Sequence, residues 1–244
     1  MHRFYADPER SSESSFRLTP EDAFHALRVL RLQEGDPVEV IYLSRRFSAV
    51  IESASGDQVT AVPSGELPPI ETKIRFVLFQ GLPKGDKMEW IVQKAAELGV
   101  SAVVPVQMSR CVVKLDPKDA LKKRERWQKI AREAGKQSGR CVIPEISLPV
   151  PLTSLSERFS GLDAVAVPWE NRSGYGPIAF YRSHPSLTSL GIVIGPEGGI
   201  DEQEISFLTS LPCETITLGP RILRTETAGL AAVSALSALY GEME

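Results

Sequence analysis

The sequence predicts an α/β protein: a mostly parallel sheet flanked by helices, preceded by a smaller β domain. Three observations carry this. Near the C-terminus two apolar runs, Gly191-Ile192-Val193-Ile194 and Thr215-Ile216-Thr217-Leu218, each open into a loop of small residues and then a helix. A third run, Ile74-Arg75-Phe76-Val77-Leu78-Phe79, leads through a helical stretch to a further strand, Ala102-Val103-Val104-Pro105-Val106, which makes a βαβ unit. Before residue 63 the pattern differs, with short alternating strands divided by Gly-Asp turns.

Taken in order, residues 18–32 read as a helix. Thr19-Pro20-Glu21-Asp22 supplies an N-cap, a proline at the first helical position and an acidic first turn. The runs at 38–42, 48–51 and 59–62, separated by Gly35-Asp36 and Gly56-Asp57, predict a small antiparallel sheet or barrel. Residues 63–72 hold Pro63, Pro68, Pro69 and Gly65 and read as a linker. The domain boundary is placed there, giving domains 1–72 and 73–244.

In the second domain, residues 87–98 form a helix with Met88, Ile91, Ala95 and Leu98 on one face and Gly99 as its stop. Residues 117–136 form another, with Trp127, Ile130, Ala131 and Ala134 inward and basic residues outward. Residues 162–167 are a buried strand. Asp201 with Glu204 three positions on is a capping-box start for the helix after Gly199.

Composition is that of a globular protein, 42% hydrophobic and 24% charged over 244 residues. No apolar run approaches the ~18 residues of a membrane span, and the polar N-terminus does not read as a signal peptide. The three cysteines and three histidines are scattered, which indicates neither a disulfide framework nor a metal site. The expected location is the cytoplasm. The net charge of −3 hides an asymmetry: residues 110–140 carry eleven Lys/Arg against four acids, whereas residues 1–72 carry seven Arg against twelve acids.

Gly81-Leu82-Pro83-Lys84-Gly85-Asp86-Lys87 lies where a phosphate loop would, but has the wrong glycine spacing and no hydroxyl after the lysine. No dinucleotide-binding glycine fingerprint occurs either. The basic stretch, with Lys122, Lys123 and Arg126, is either a solvated helix face or a surface for a polyanion. Arg28, Arg31, Arg45 and Arg46 either form a second such patch on the small domain or are simply exposed side chains. Glu197 and Glu226 sit at helix starts, where a carboxylate is favoured in any case. Arg221 and Arg224 flank Ile222 and Leu223, which suggests a partly buried loop in which each guanidinium has a fixed anionic partner or ligand.

Gly195-Pro196-Glu197-Gly198-Gly199 followed by Leu218-Gly219-Pro220-Arg221-Ile222-Leu223-Arg224-Thr225-Glu226-Thr227-Ala228 resembles the C-terminal motifs of the SPOUT class of RNA methyltransferases. Lys84-Gly85-Asp86-Lys87-Met88-Glu89-Trp90, Gln93-Lys94-Ala95-Ala96-Glu97-Leu98-Gly99, Arg110-Cys111-Val112-Val113-Lys114 and Trp127-Gln128-Lys129-Ile130-Ala131 narrow the likeness to the RsmE family of 16S ribosomal RNA uridine N3-methyltransferases. His25-Ala26-Leu27-Arg28-Val29-Leu30-Arg31 with Gly35-Asp36 is similar to that family's PUA-like N-terminal barrel.

The resemblance implies a trefoil knot in the second domain, S-adenosylmethionine bound bent within it, and a homodimer. It implies cofactor contacts from Pro168, Gly195, Pro196, Glu197, Gly198, Gly199, Leu218, Gly219, Pro220, Ile222, Leu223 and Thr227. It implies RNA contacts from Arg28, Arg31, Lys84, Lys87, Arg110, Lys122, Lys123, Arg126 and Arg221, with 16S RNA within the 30S subunit as substrate. The uracil imide is a poor nucleophile until it loses its proton, so the reaction needs a base or a cation that stabilises the anion. Arg224 is the expected stabiliser, and Glu197 or Glu226 either the base or the group that orients Arg224. The rivals are ribose 2′-O-methylation by an enzyme of the same class and a non-catalytic RNA-binding assembly factor. A dimer is also expected from residues 228–240, where no charged side chain marks an outer face.

Overall fold

The computed structural model describes residues 1–243, which divide into two compact units. One comprises Met1–Glu71 with Gly139–Val142, the other Thr72–Ser138 with the described residues from Ile143 on. A four-residue segment between two elements of the second unit thus packs with the first.

The first unit contains β1 (His2–Tyr5), β2 (Phe16–Arg17), α1 (Pro20–Phe24), β3 (Pro37–Tyr42), β4 (Arg45–Ser55) and β5 (Gln58–Leu67). The sheet order is β1-β3-β4-β5-β2, with β1 parallel to β3 and the other pairs antiparallel. Phe4, Phe16, Val38, Val40, Phe47, Ile51 and Val59 fill its core. Thr19 caps α1 through the Asp22 N–H with Pro20 in its first turn, as the sequence indicates. The helix is shorter than expected, because it loosens at Phe24 into one π turn over His25–Val29 and ends at Arg31, whose φ of 55° is left-handed. The expected linker also starts later. Pro63 and Gly65 belong to β5, and Pro63 is accommodated because it lies at a register shift against β4, beyond the short reach of β2. Glu71 then ties down residues 139–142. One carboxylate oxygen accepts the N–H groups of Cys141 and Val142 at 2.7 and 3.0 Å, and the other accepts Arg140 Nη2 at 2.6 Å.

The second unit runs β6 (Arg75–Gly81), α2 (Lys87–Glu97), β7 (Ala102–Gln107), α3 (Pro117–Ser138), β8 (Glu145–Ile146), β9 (Val150–Pro151), α4 (Leu155–Phe159), β10 (Ala164–Pro168), α5 (Pro177–Ser183), β11 (Ser189–Ile194), α6 (Glu202–Thr209), β12 (Glu214–Ile216) and α7 (Thr225–Leu239). The strands are ordered β12-β10-β11-β6-β7-β8, with β9 also on β7, and every pairing is parallel. The apolar runs read from the sequence give β6, β7, β10 and β11, buried on both faces as a covered parallel sheet requires, and the edge strand β12, which ends at Ile216 and is buried only there. Because all strands point one way, the loops after β6, β7, β10, β11 and β12 open at one end, where open α/β sheets bind ligands.

Gly99 takes φ +87° just past α2, and Asp201 and Glu204 form a complete capping box on α6. α7 buries Gly229, Ala232, Val233, Leu236 and Ser237, while Leu230, Ala231, Ser234 and Ala235 are half-buried and Ala238 is exposed. Among the described residues, no helix is long and apolar enough to cross a membrane.

Candidate active site

The loop after β11 is packed so closely that its small residues are obligatory. A Cβ on Gly195 would lie 2.9 Å from the Gly199 carbonyl carbon and 2.8 Å from Ile200 Cγ1. A Cβ on Gly81, at the end of β6, would meet the Pro196 nitrogen at 2.6 Å. The start of α7 is locked to this loop through a buried polar chain. Gln80 Nε2 donates to Thr225 Oγ1 at 2.8 Å, and Thr225 Oγ1 donates to the Gly195 carbonyl at 2.6 Å. These bonds hold the Gln80 amide and the Thr225 hydroxyl in one geometry, while the buried Gln80 Oε1 accepts no hydrogen bond among the described residues.

Two adjoining cavities lie between the loops. The larger, about 410 Å³, is lined by Pro168, residues 194–200, Lys87 and Ile222 to Thr225. The smaller, about 100 Å³, is lined by Trp169 and residues 217–223. Pro168, Glu170, Ile222, Leu223 and Ala228 line both, so they form the waist between them.

Charge is arranged around Lys87. Its ammonium is 2.9 Å from Glu197 Oε1 and 3.5 Å from Glu226 Oε2. Glu197 also accepts the Lys84 N–H at 3.0 Å. Burial alone would push the Glu197 carboxyl up, but the hydrogen bonds from Lys87 and from backbone N–H groups hold it below the usual carboxylate range. The same contact raises the Lys87 ammonium above its ordinary value. Glu226 Oε2 is buried and accepts no hydrogen bond among the described residues.

The geometry brings most of the sequence-predicted residues together. Pro168, Gly195, Pro196, Glu197, Gly198, Gly199, Ile222, Leu223 and Arg224 line the larger cavity, and Leu218, Gly219, Pro220 and Arg221 the smaller. Thr227 does not join them: it is exposed and lines neither cavity, because the helical turn that carries Ala228 to the wall rotates Thr227 outward. The expectation of a partly buried Arg221–Arg224 loop also fails. Ile222 is 88% exposed, and both arginine side chains are exposed without an ion pair among the described residues. The turn at Gly219, φ +100°, carries this segment out over the cavities instead of into the core.

Of the residues expected to meet RNA, Lys84 and Lys122 are exposed, Lys123 is half-buried, and Arg126 is 2.8 Å from Glu89. In the first unit Arg31 is exposed and Arg28 lies 3.9 Å from Asp57. Arg110 turns inward to the β11 loop, with Nη1 donating to the Gly198 carbonyl at 2.7 Å. Gln80 escapes the sequence reading, Thr225 enters it only within the 218–228 motif, and Glu170 is not singled out within its segment. Glu170 lies in the segment Pro168-Trp169-Glu170-Asn171, and no residue spacing marks it. Only the fold puts its carboxylate oxygen 2.8 Å from where a Gly199 Cβ would stand.

An RNA methyltransferase domain matches residues 70–237, and an RNA methyltransferase PUA domain matches residues 18–64. The ribosomal RNA small subunit methyltransferase E of Bacillus subtilis is 43% identical over 236 residues, covering 91% of this chain and 90% of that one. The chain belongs to the small-subunit ribosomal RNA methyltransferase E family. A member from Aquifex aeolicus is 30% identical over 97% of this chain and 99% of its own. The crystal structure of the member from Neisseria gonorrhoeae, bound to S-adenosylmethionine, superposes with a TM-score of 0.83 at 32% identity, covering 98% of each chain. The loops described above fall within the RNA methyltransferase domain of this family.

Proposed function

We propose that this protein transfers a methyl group from S-adenosylmethionine to N3 of a uridine in 16S ribosomal RNA, acting in the cytoplasm as a homodimer on the 30S subunit. The observation that carries the chemistry is the exposed guanidinium of Arg224, without an ion pair among the described residues, at the lip of a cavity with a glycine-backbone wall.

The cavity pair fits the cofactor. The narrow part between backbone-lined loops suits a flat base, and the waist suits its ribose. The larger part, with Lys87 on its wall, takes the amino-acid arm. Bound there, the cofactor supplies a methyl group on a sulfonium, open to in-line attack. Glu170, at the waist and without an ion-pair partner among the described residues, is the acceptor for the ribose hydroxyls. Thr227 drops out of the cofactor set.

The chain's own task is to make the uracil imide a nucleophile. Arg224, at the N-cap of α7, stabilises the charge that develops on the carbonyl oxygens flanking N3. Glu197 is committed to Lys87 and the Lys84 N–H and serves to hold its loop. Glu226 is the proton acceptor of the pair, since its buried Oε2 is not hydrogen-bonded. The target base must leave its stack to reach this lip. Lys84, Arg221, Lys122 and Lys123 supply phosphate contacts, as do Arg28 and Arg31 on the β unit. Arg126 contributes less, because Glu89 already neutralises it.

The test is to incubate the purified protein and cofactor with 30S particles lacking the modification and analyse the nucleosides by mass spectrometry. N3-methyluridine is expected. A ribose-methylated nucleoside would reassign the acceptor atom, and cofactor binding without any methylated product would leave an assembly factor.

A further inference from the structure

The turn after β7 is closed by its own hydrogen bonds. Cys111 N–H donates to the Met108 carbonyl at 3.1 Å, Met108 N–H points to Cys111 Sγ at 3.3 Å, and both side chains are buried. Its tip, Ser109 and Arg110, is exposed and reaches over the end of β6 to the β11 loop. Ser109 N–H donates to Glu204 Oε1 at 2.7 Å, and Ser109 Oγ donates to Asp201 Oδ2, so the tip grips both capping residues of α6. Arg110 Nη1 donates to the Gly198 carbonyl at 2.7 Å. A Cβ at Gly198 would stand 3.0 Å from Arg110 Cβ and 3.3 Å from its Cδ. Any side chain at 198 would have to push the arginine stem back by a few tenths of an ångström.

We propose that Arg110 is a positioning residue for the cofactor-binding loop, fixing the Gly198 peptide from outside while Lys87 and Lys84 fix Glu197 from the other side. Arg110 lines neither cavity, so it acts only through the loop it holds. An exposed guanidinium suited to RNA phosphate is thereby assigned to the backbone of its own chain. The contact needs a planar N–H donor at the end of a long side chain, and it does not need the charge.

That distinction gives the test. Cofactor dissociation constants are measured by titration calorimetry on RNA-free wild type, Arg110→Ala and Arg110→Gln, with the melting temperature of each as a folding control. RNA affinity is measured against salt for the same three proteins. Arg110→Ala weakens cofactor binding by roughly tenfold, the scale of one lost hydrogen bond from a charged donor. Arg110→Gln keeps an amide donor and recovers most of that loss. The salt slope of RNA binding stays as in wild type. The proposal is overturned if Arg110→Ala binds cofactor normally, or if Gln is as poor as Ala. It is equally overturned if both variants lose slope on RNA without losing cofactor affinity, which would return Arg110 to a phosphate contact.

Discussion

At the scale of single residues the site separates charges that bind from charges that react. Arg224→Ala leaves the glycine wall and both cavities in place. It should hold cofactor affinity near wild type and lower kcat by roughly a hundredfold or more, the scale of a lost donor to a developing anion. A variant that turns over at near wild-type rate with saturating cofactor would remove Arg224 from the chemistry. Glu170→Gln should act the other way, weakening cofactor binding by roughly tenfold with little change in kcat. Equal cofactor affinity in the Gln variant would take Glu170 off the ribose. The Lys87–Glu197 pair sets a pH window. The folded value of Glu197 lies below its ordinary 4.5, so its contribution is complete above 4.5 and is lost as pH falls through that lower value. Lys87 is raised above 10.5, so its contribution is complete below 10.5 and is lost as pH rises past the higher value. Cofactor affinity should therefore be flat between those limits, while kcat rises with pH as the imide deprotonates. A calorimetric titration series in which affinity changes steeply near neutrality would mean that another group controls the loop.

At the scale of elements, what could be read from the sequence divides by contact range. β6, β7, β10 and β11 announced themselves because each is an apolar run buried on both faces, whereas β8 and β9 are two residues long and carry no pattern. The α6 capping box did so because its partners are three residues apart. β1 and β2 could not be seen. They are four and two residues long, and β1 finds its register on β3, with His2 opposite Val38. The grip of Arg110 on Gly198 and the approach of Glu170 to Gly199 are likewise products of the fold. The β3–β4 turn is a third case. Leu43 and Ser44 both take left-handed φ, 47° and 63°, in a two-residue hairpin loop that carries none of the Asn-Gly chemistry such turns favour. The double substitution Leu43→Asn with Ser44→Gly should stabilise the β unit by about 1 kcal/mol, seen as a small rise in melting temperature. No rise would show that the native side chains compensate the strain. On α3, replacing Lys122 and Lys123 by Gln should flatten the salt dependence of RNA binding by roughly 0.7–0.9 in log–log slope per lost contact. An unchanged slope would leave that face merely solvated.

At the scale of the whole molecule, the last helix and the loop before it are too apolar to be a finished surface. α7 has no charged side chain between Glu226 and its end, and its side bearing Leu230, Ala231, Ser234, Ala235 and Ala238 is only half-buried or exposed. Ile222, 88% exposed, lines both cavities in the loop before α7. An uncharged helix side left open to water invites association, and small residues along a helix allow a second helix to come close. A two-fold copy laid on α7 would cover the alanine side and bring its own surface beside Arg221, Ile222 and Arg224. Light scattering should give twice the 26.8 kDa chain mass. Ala235→Glu places a charge in the centre of that contact and should lower both mass and activity, because the loop over the cofactor would lose its cover as the dimer separates. Thr227→Glu, on the exposed first turn of α7, adds the same charge near the active site and serves as the comparison for a purely electrostatic effect on RNA. If Ala235→Glu is monomeric and fully active, the dimer plays no part in catalysis. If the wild-type protein is itself monomeric, the outer side of α7 has another partner.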